Sequence, residues 1–361
     1  TNDPQSSEGA MPKLSKAGKQ RGPASPDAEE LMKRASRARS ANLYAEAANA
    51  FRAAREPVGL GRALCGWANV ALEEAKGAAD ETERTREAGA ALEQAKACFA
   101  EAVSGGASEA GDAEEARMLH ANTCTELAAL CEPSVALVLL EAALVDYSAL
   151  RSSADPSDPY SGMNEILNNL STAHSARAEV LAGLDRAEEA RAGFASAFDG
   201  FTDCVGTCDT RAGDDLGSVL YDFASSQLAA AGCGGVFTAS ERLELLRIAT
   251  ERFAAACVED PSETAPLCGL GDAYAEAAEL NADGSAAKLA ALEQAQGAFE
   301  RALRIDRNLT DAHIGRAEVL AQRARSPALL GGGSPEEALA ASAAAYRLPP
   351  PGPPPRGGKP K

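Results

Sequence analysis

The sequence predicts an all-α fold built from consecutive pairs of antiparallel helices. Two internal matches carry that prediction. The segment LCGWANVA at 64–71 parallels LCGLGDAY at 267–274, and ALEQAKACFAEA at 91–102 parallels ALEQAQGAFERA at 291–302. The two segments recur in the same order, which indicates a repeat array and not an arbitrary helical bundle. The chain is 45% hydrophobic but only 4% aromatic, and its many alanines suit closely packed helices because Ala loses no side-chain entropy in a helix.

Apolar spacing places seven helix pairs in order along the chain. The first helices of the pairs contain Leu31, Leu64, the region from about 112, Leu167, Leu216, Leu267 and Ala317. The second helices lie at 42–54, 91–102, 135–150, 185–198, around Ala249, at 291–302 and from Pro335 to Ala345. The helix at 135–150 is apolar around much of its circumference, which predicts that it is well buried. The third and fourth pairs are inferred from their position between the others.

The most informative pattern lies at 249–274. Its small, large and turn-forming positions are Ala249, Phe253, Ala256, Pro261, Leu267, Leu270, Gly271 and Tyr274. This spacing resembles the tetratricopeptide repeat, a unit of about 34 residues with two antiparallel helices. The resemblance implies a right-handed superhelical solenoid of about seven helix pairs over 27–348, with a concave face that usually holds another protein. Several units here are longer, and the excess falls between the two helices of a unit, where it lengthens them or bulges at one edge.

The charge is strongly negative but unevenly distributed. The net charge is −18, and because both ends are basic, residues 41–350 carry −24. An acidic body argues against nucleic acid as the main ligand, since phosphate contacts need a cationic face. It permits a basic protein partner, and the alternative is a merely solubilising outer surface. The polar and proline-rich compositions of 1–26 and 349–361 predict disordered tails.

No motif for catalytic or metal chemistry stands out. The clustered glycines of 59–66 lack the lysine and the parallel-sheet context of a phosphate-binding loop. The histidines His120, His174 and His313 lie on separate helices, with no visible nucleophile or carboxylate partner. Nine cysteines indicate buried thiols in a reducing compartment, and the isolated CVGTC segment at 204–208 does not supply a closed zinc site. The sequence therefore predicts no enzyme activity, no cofactor and no metal.

By the same resemblance, residues that face the concave groove lie on the first helix of each unit. These residues are Asn69, Glu73, Asn168, Thr172, Tyr221, Asp272, Glu276, Asp311, Glu318 and Gln322. The set is polar and acidic, which suits a basic or hydroxyl-rich peptide held by hydrogen bonds to carboxylates. The alternative is an ordinary solvated helix face, because exposed helix positions are commonly acidic.

One known binding mode of the family can be compared directly. Members that bind the acidic C-terminal tails of chaperones share a two-carboxylate clamp of Lys, Asn, Asn, Lys and Arg. The corresponding positions here hold Met32, Ser36, Cys65, Asn69, Cys268, Asp272, Ile314 and Glu318. One Asn is present and the lysines are not, so the sequence predicts that the clamp is not matched.

These patterns predict a non-catalytic adaptor or scaffold that binds a basic protein segment in an acidic concave groove. The alternative is a structural subunit packed permanently in a larger assembly. No apolar run of the roughly 20 residues that span a bilayer is apparent, and no signal-peptide pattern follows Thr1. The expected location is the cytoplasm or the nucleus, with an organelle reached through a cleaved transit peptide as an alternative.

Overall fold

The structure is a computed structural model, and it describes residues 26–75, 80–104, 110–154, 162–208, 215–325 and 340. All thirteen elements in this part of the chain are α-helices. They are α1 (Pro26–Ala38), α2 (Ala41–Ala54), α3 (Pro57–Ala75), α4 (Glu81–Ser104), α5 (Ala110–Ala128), α6 (Pro133–Ser153), α7 (Met163–Gly183), α8 (Ala187–Thr207), α9 (Leu216–Gly232), α10 (Ala239–Glu259), α11 (Ala265–Leu280), α12 (Ala286–Ile305) and α13 (Thr310–Arg325).

The helices follow the predicted pairs. Consecutive helices pack against each other from α1 to α6 and again from α8 to α13, which confirms the predicted TPR-like repeat of helices. Four helices, α5 to α8, are present where the third and fourth pairs were inferred from their position, and α5 packs on α6. The last predicted helix, from Pro335 to Ala345, and both predicted tails lie outside the described residues, apart from Ala340 and Pro26.

The chain divides into two compact units, Thr1–Val180 and Leu181–Lys361. The division falls near the end of α7. Unit 1 contains α1 to α6 and most of α7, and unit 2 contains α8 to α13. The prediction of one repeat domain over 27–348 stays a prediction.

The core of unit 1 depends on aromatic rings that lie against glycines. Phe51 of α2 is buried against Gly59 of α3, and Phe99 of α4 is buried against Gly61, which also belongs to α3. A Cβ atom at Gly61 would lie 2.6 Å from the Phe99 ring, closer than packed carbon atoms approach. The glycines therefore allow the rings to fill the space between helices at close range. Trp67, which aligns with Leu270 in the internal match, is buried in the same cluster.

Unit 2 repeats this arrangement. Phe253 of α10 lies against Gly269 of α11, and Phe299 of α12 lies against Gly271 of α11 and Gly315 of α13. Both rings are buried. A Cβ atom would lie 2.5 Å from the Phe253 ring at Gly269 and 2.6 Å from the Phe299 ring at Gly271. The predicted small-and-large pattern at 249–274 is therefore a pattern of helix-to-helix contacts.

Helix ends are fixed by local residues. Thr238 caps α10 in a capping box: its hydroxyl accepts from the Glu241 amide, and the Glu241 carboxylate accepts from the Thr238 amide at 2.8 Å. Asp215 caps α9, and Ser285 caps α12. The excess residues predicted before 91–102 lengthen α4 to 24 residues.

Helix α6 corrects one expectation about membranes. Within the described residues, it alone is long and apolar enough to cross a bilayer when judged by length and composition. The window that qualifies includes Glu141 and Asp146. Leu140, Ala143 and Tyr147 of α6 are buried in the core of unit 1. Only 33% of that window is buried, however. Helix α6 therefore packs into the core along one face, and the prediction that 135–150 is well buried is wrong for the face that carries Val135, Val138 and Val145.

We expect Gly271→Ala to lower the free energy of unfolding by about 1–3 kcal/mol, because the added methyl group overpacks against the buried Phe299 ring. Urea-induced unfolding of the full chain measures this change. Gly297→Ala is the matched control, since Gly297 also lies inside a helix and has no atom within 4 Å of a new Cβ. It should stabilise by up to about 1 kcal/mol through helix propensity. Equal changes in the two variants would contradict the close contact.

Candidate functional site

The ten predicted groove residues all lie on first helices of the pairs. Asn69 and Glu73 are on α3, and Asn168 and Thr172 are on α7, so these four belong to unit 1. The other six belong to unit 2, where Tyr221 is on α9, Asp272 and Glu276 are on α11, and Asp311, Glu318 and Gln322 are on α13. The candidate site is therefore considered separately in each unit.

In unit 1 the polar contacts centre on residues that the sequence did not single out. Asn122 of α5 accepts a hydrogen bond from the Tyr147 hydroxyl at 2.6 Å, and Asn169 of α7 donates to it at 3.4 Å. The Thr172 hydroxyl instead bonds its own helix at the carbonyl of Asn168, at 3.0 Å. These amides tie α5, α6 and α7 together. Asn122 could have been singled out from the sequence, because it lies on the first helix of its pair, as the predicted residues of α3 and α7 do.

Unit 2 brings three predicted carboxylates close together on α11 and α13. We call Asp272, Asp311 and Glu318 the acidic face. Restricted hydration and then the charges of Glu318 and Asp311 raise the pKa of Asp272 to about 6, from an ordinary value of 3.8. All three side chains keep solvent contact, so water still screens part of the repulsion. No described basic side chain forms an ion pair with any of the three.

Tyr221 of α9 borders the acidic face. Its ring packs on Phe253 with the ring centres 5.8 Å apart. Burial raises the pKa of Tyr221, a hydrogen bond with Ser225 partly offsets this, and the nearby carboxylates of Asp222 and Asp272 raise it further. The tyrosine therefore adds a partly buried aromatic surface beside the carboxylates, which suits the aliphatic and cationic parts of a basic side chain.

Two predicted groove residues already have partners within unit 2. The Glu276 carboxylate accepts from Arg242 of α10 at 2.7 Å, and Arg242 also donates to the carbonyl of Ala231. This ion pair is only 18% and 29% exposed at its two side chains, so it ties α10 to α11. Gln322 donates to Glu279 at 3.0 Å. A ligand-binding role for Glu276 and Gln322 stays a prediction, and the charge of Glu276 is already neutralised.

The histidine prediction needs a correction at His120. Its Nδ1 lies 2.6 Å from Asp146 of α6, so a carboxylate partner is present that the sequence did not reveal. The hydrogen bond to Asp146, followed by that to Cys124, raises the pKa of His120 to about 9. The imidazole is therefore protonated at neutral pH and cannot act as a general base. Cys124 is fully buried 3.9 Å from Nε2, so this Cys–His–Asp arrangement joins α5 to α6.

The cysteines give no metal centre within the described residues, where no group of three or more His, Cys, Asp or Glu side chains is placed to hold a metal ion. Cys204 is buried in α8, and Cys208 follows the last residue of that helix. Burial raises the pKa of the Cys65 and Cys268 thiols to about 12, so both are neutral at physiological pH.

No protein-family model matches the sequence, and no curated protein matches it. Solved structures give weak similarities. A circular tandem repeat protein with novel repeat topology is 15% identical over 89% of this chain and 74% of that chain, with a TM-score of 0.34. The human IFIT1 dimer with PPP-AAAA is 14% identical over 88% of this chain and 64% of that chain, with a TM-score of 0.36. Yeast Tom70 is 13% identical over 88% and 81%, with a TM-score of 0.24.

The chain thus spans about two thirds of IFIT1, at 64%. Its class follows from its own helices. Consecutive helical pairs, with the phenylalanine of one helix against the glycine of another, define an all-α, TPR-like helical-repeat protein. The acidic face of unit 2 is the candidate binding site that this scaffold presents.

Because of the His120–Asp146 pair, we expect the protein to lose stability as the pH becomes alkaline. The pKa of His120 is raised from 6.5 in an ordinary setting to about 9 in the folded chain. Its stabilising contribution is therefore fully present below about pH 6.5 and is lost as the pH rises through about 9. We expect a loss of about 1–3 kcal/mol over this interval. Urea-induced unfolding at several pH values measures it, with Asp146→Asn as the comparison. An unchanged slope in that variant would contradict the assignment.

The raised pKa of Asp272 makes the folded protein less stable at neutral pH than at low pH. The folded state favours the protonated carboxyl, so Asp272 stabilises the fold most at low pH, and this contribution is lost as the pH rises towards and through about 6. At pH 7.5, Asp272→Asn should therefore raise the free energy of unfolding by about 0.5–1 kcal/mol, a small effect because solvent screens an exposed group. At pH 4 the gain should vanish. Asp203→Asn on α8 is the control, and a gain of equal size there would refute local repulsion.

Proposed function

We propose that this protein is a non-catalytic adaptor that binds a basic segment of another protein on the acidic face of unit 2. The observation that supports the proposal is the group of Asp272, Asp311 and Glu318, which lie close together without a described cation to compensate them. The sequence prediction for the groove was broader, and the proposal narrows it to these three carboxylates with Tyr221 beside them.

The electrostatics of the face favour a cationic ligand. Restricted hydration, and after it repulsion from the charges of Glu318 and Asp311, disfavours the ionised form of Asp272 and raises its pKa. A lysine or arginine side chain that enters the face would relieve this repulsion and form charge-assisted hydrogen bonds. A neutral, hydroxyl-rich segment would donate hydrogen bonds to the carboxylates but would not offset their charge, and an acidic segment would be repelled. The net charge of −18 on the whole chain would also speed the approach of a basic partner at low ionic strength.

A second candidate function is supported by a different surface. On α6, Val135, Val138 and Val145 are 47%, 66% and 69% exposed, and their spacing places them on one side of the helix. An exposed apolar stripe suits permanent packing in a larger assembly. Such a structural subunit would be held by apolar contacts, which resist salt, whereas binding to the acidic face would weaken with salt.

We also propose a reducing compartment, the cytoplasm or the nucleus, as the place of action. Six cysteines are free thiols that are buried or only partly exposed, namely Cys65, Cys98, Cys124, Cys131, Cys257 and Cys268. Secreted chains of this size more often carry disulfides. Compartment-targeted thiol labelling in intact cells would test this location.

The adaptor proposal predicts that neutralising the acidic face weakens binding of a purely basic probe. We expect the triple variant Asp272→Asn, Asp311→Asn and Glu318→Gln to bind fluorescent nona-lysine about tenfold more weakly, because three carboxylates at roughly 0.5 kcal/mol each are lost. Fluorescence anisotropy at low salt measures this. The wild-type affinity should also fall steeply between about 0.05 and 0.5 M NaCl.

The matched control is the triple variant Glu188→Gln, Asp203→Asn and Glu293→Gln, which removes the same charge from exposed positions on second helices of unit 2. It should weaken nona-lysine binding less than about threefold. Equal losses of affinity in the two triple variants would show that nona-lysine is attracted by the overall negative charge and not by the acidic face. Affinity purification of Val138→Asp tests the second candidate: loss of salt-resistant partners in this variant, with the acidic-face variant unaffected, would favour the structural subunit.

A further inference from the structure

A cavity of about 350 Å³ lies in unit 2 beside the acidic face. It is formed where the start of α9, the end of α10 and the start of α11 meet. Tyr221 lines the cavity and also borders the acidic face. The cavity therefore shares Tyr221 with the surface that we propose for a basic segment, but its carboxylates are different.

The polar side of the cavity is negative. Asp215, Asp222, Asp260 and Glu263 line it, and none of the described residues that line it is basic. Hydrogen bonds from the amide and hydroxyl groups of Ser218 lower the pKa of Asp215, and those of Ser262 lower the pKa of Asp260. Both carboxylates are thus ionised at neutral pH. They also lie close enough for the charge of Asp260 to act on Asp215.

The end of α10 adds to this potential. Ala256 and Asp260, in the last turn and at the C-cap of α10, line the cavity. A helix C-terminus carries a partial negative charge, and the last turn of α10 has no basic residue to offset it. The cavity therefore combines carboxylates with the negative end of a helix.

The remaining walls are apolar. Ala256, Ala265 and Pro266 contribute aliphatic surface, and the ring of Tyr221 adds an aromatic wall. A cavity with apolar walls and ionised carboxylates matches a long side chain whose stem is aliphatic and whose end is cationic. The guanidinium of arginine fits better than the ammonium of lysine. It is planar, offers five donors that two neighbouring carboxylates can share, and stacks on aromatic rings. It is also weakly hydrated, whereas an ammonium is a strongly hydrated point charge.

We propose that this cavity is an anchor site for an arginine side chain of the segment that binds the acidic face. The inference rests on the proposed function for the partner, but it assigns a separate site and a specific residue type. Asp215 and Asp260 bind the guanidinium, Tyr221 packs on it, and the aliphatic walls hold the stem. The acidic face then receives the neighbouring basic residues of the same segment.

The test uses acetyl-argininamide as the probe and Tyr221 as the reporter. The chain has six tyrosines, so 3-fluorotyrosine labelling gives few ¹⁹F signals, and Tyr221→Phe assigns the one of interest. We expect acetyl-argininamide to shift the Tyr221 signal to saturation at millimolar concentrations. The double variant Asp215→Asn and Asp260→Asn should weaken this binding about fivefold or more. Asparagine caps a helix as well as aspartate and can still accept from the serine amides, so the fold is kept.

Three controls make the result decisive. Asp272→Asn, Asp311→Asn and Glu318→Gln should change acetyl-argininamide binding less than about twofold while weakening nona-lysine binding. Acetyl-lysinamide should bind more weakly than acetyl-argininamide. Arg211→Ala tests whether an arginine of this chain occupies the cavity itself. Arg211 precedes the cavity in sequence and lies outside the described residues. That variant should bind acetyl-argininamide as the wild type does.

Each alternative result overturns the anchor site. No saturable shift, or an equal loss in the acidic-face variant, would remove the cavity as a separate site. Equal binding of acetyl-lysinamide would remove the preference for arginine, and binding that appears only in Arg211→Ala would assign the cavity to this chain's own arginine. The two proposals fail separately: a cavity that binds acetyl-argininamide while the acidic-face variant keeps full nona-lysine affinity would refute the proposed function alone.

Discussion

The contact between a phenylalanine ring and a glycine is the constraint on which each unit depends. Phe51 and Phe99 in unit 1, and Phe253 and Phe299 in unit 2, occupy space that any larger residue at the facing glycine would take. Because Phe299 touches glycines of both α11 and α13, a single ring sets the spacing of two first helices. The same two helices carry Asp272, Asp311 and Glu318, so the packing of one aromatic ring brings the carboxylates together.

Much of the fold could be predicted from the sequence because its signals are local. Apolar spacing and small residues located the second helices, and the prediction of 42–54 agrees closely with α2 (Ala41–Ala54). The first half of α4 falls among the excess residues, for which the sequence left a longer helix and a bulge open, and there is a physical reason for this. Its residues are charged, and ion pairs such as Arg84 with Asp80 and Arg86 with Glu83 stabilise it without an apolar stripe.

The candidate site was less predictable because its chemistry depends on distant partners. Nothing near Glu276 in sequence reveals that Arg242, 34 residues earlier, neutralises its carboxylate. The same holds for His120, whose partner Asp146 lies 26 residues later on another helix. The resemblance to a known repeat could assign residues to a face, but it could not say which charges on that face remain uncompensated.

The raised pKa of Asp272 has a consequence for ligand exchange. Near pH 6 the carboxyl is about half protonated in the free protein. A cationic side chain that settles beside it favours the ionised form, so binding must release a fraction of a proton to the solvent, and proton uptake must in turn promote dissociation. Under the proposed function, a proton and a basic side chain would compete for this one carboxylate, so mild acidification would weaken the binding of a basic partner.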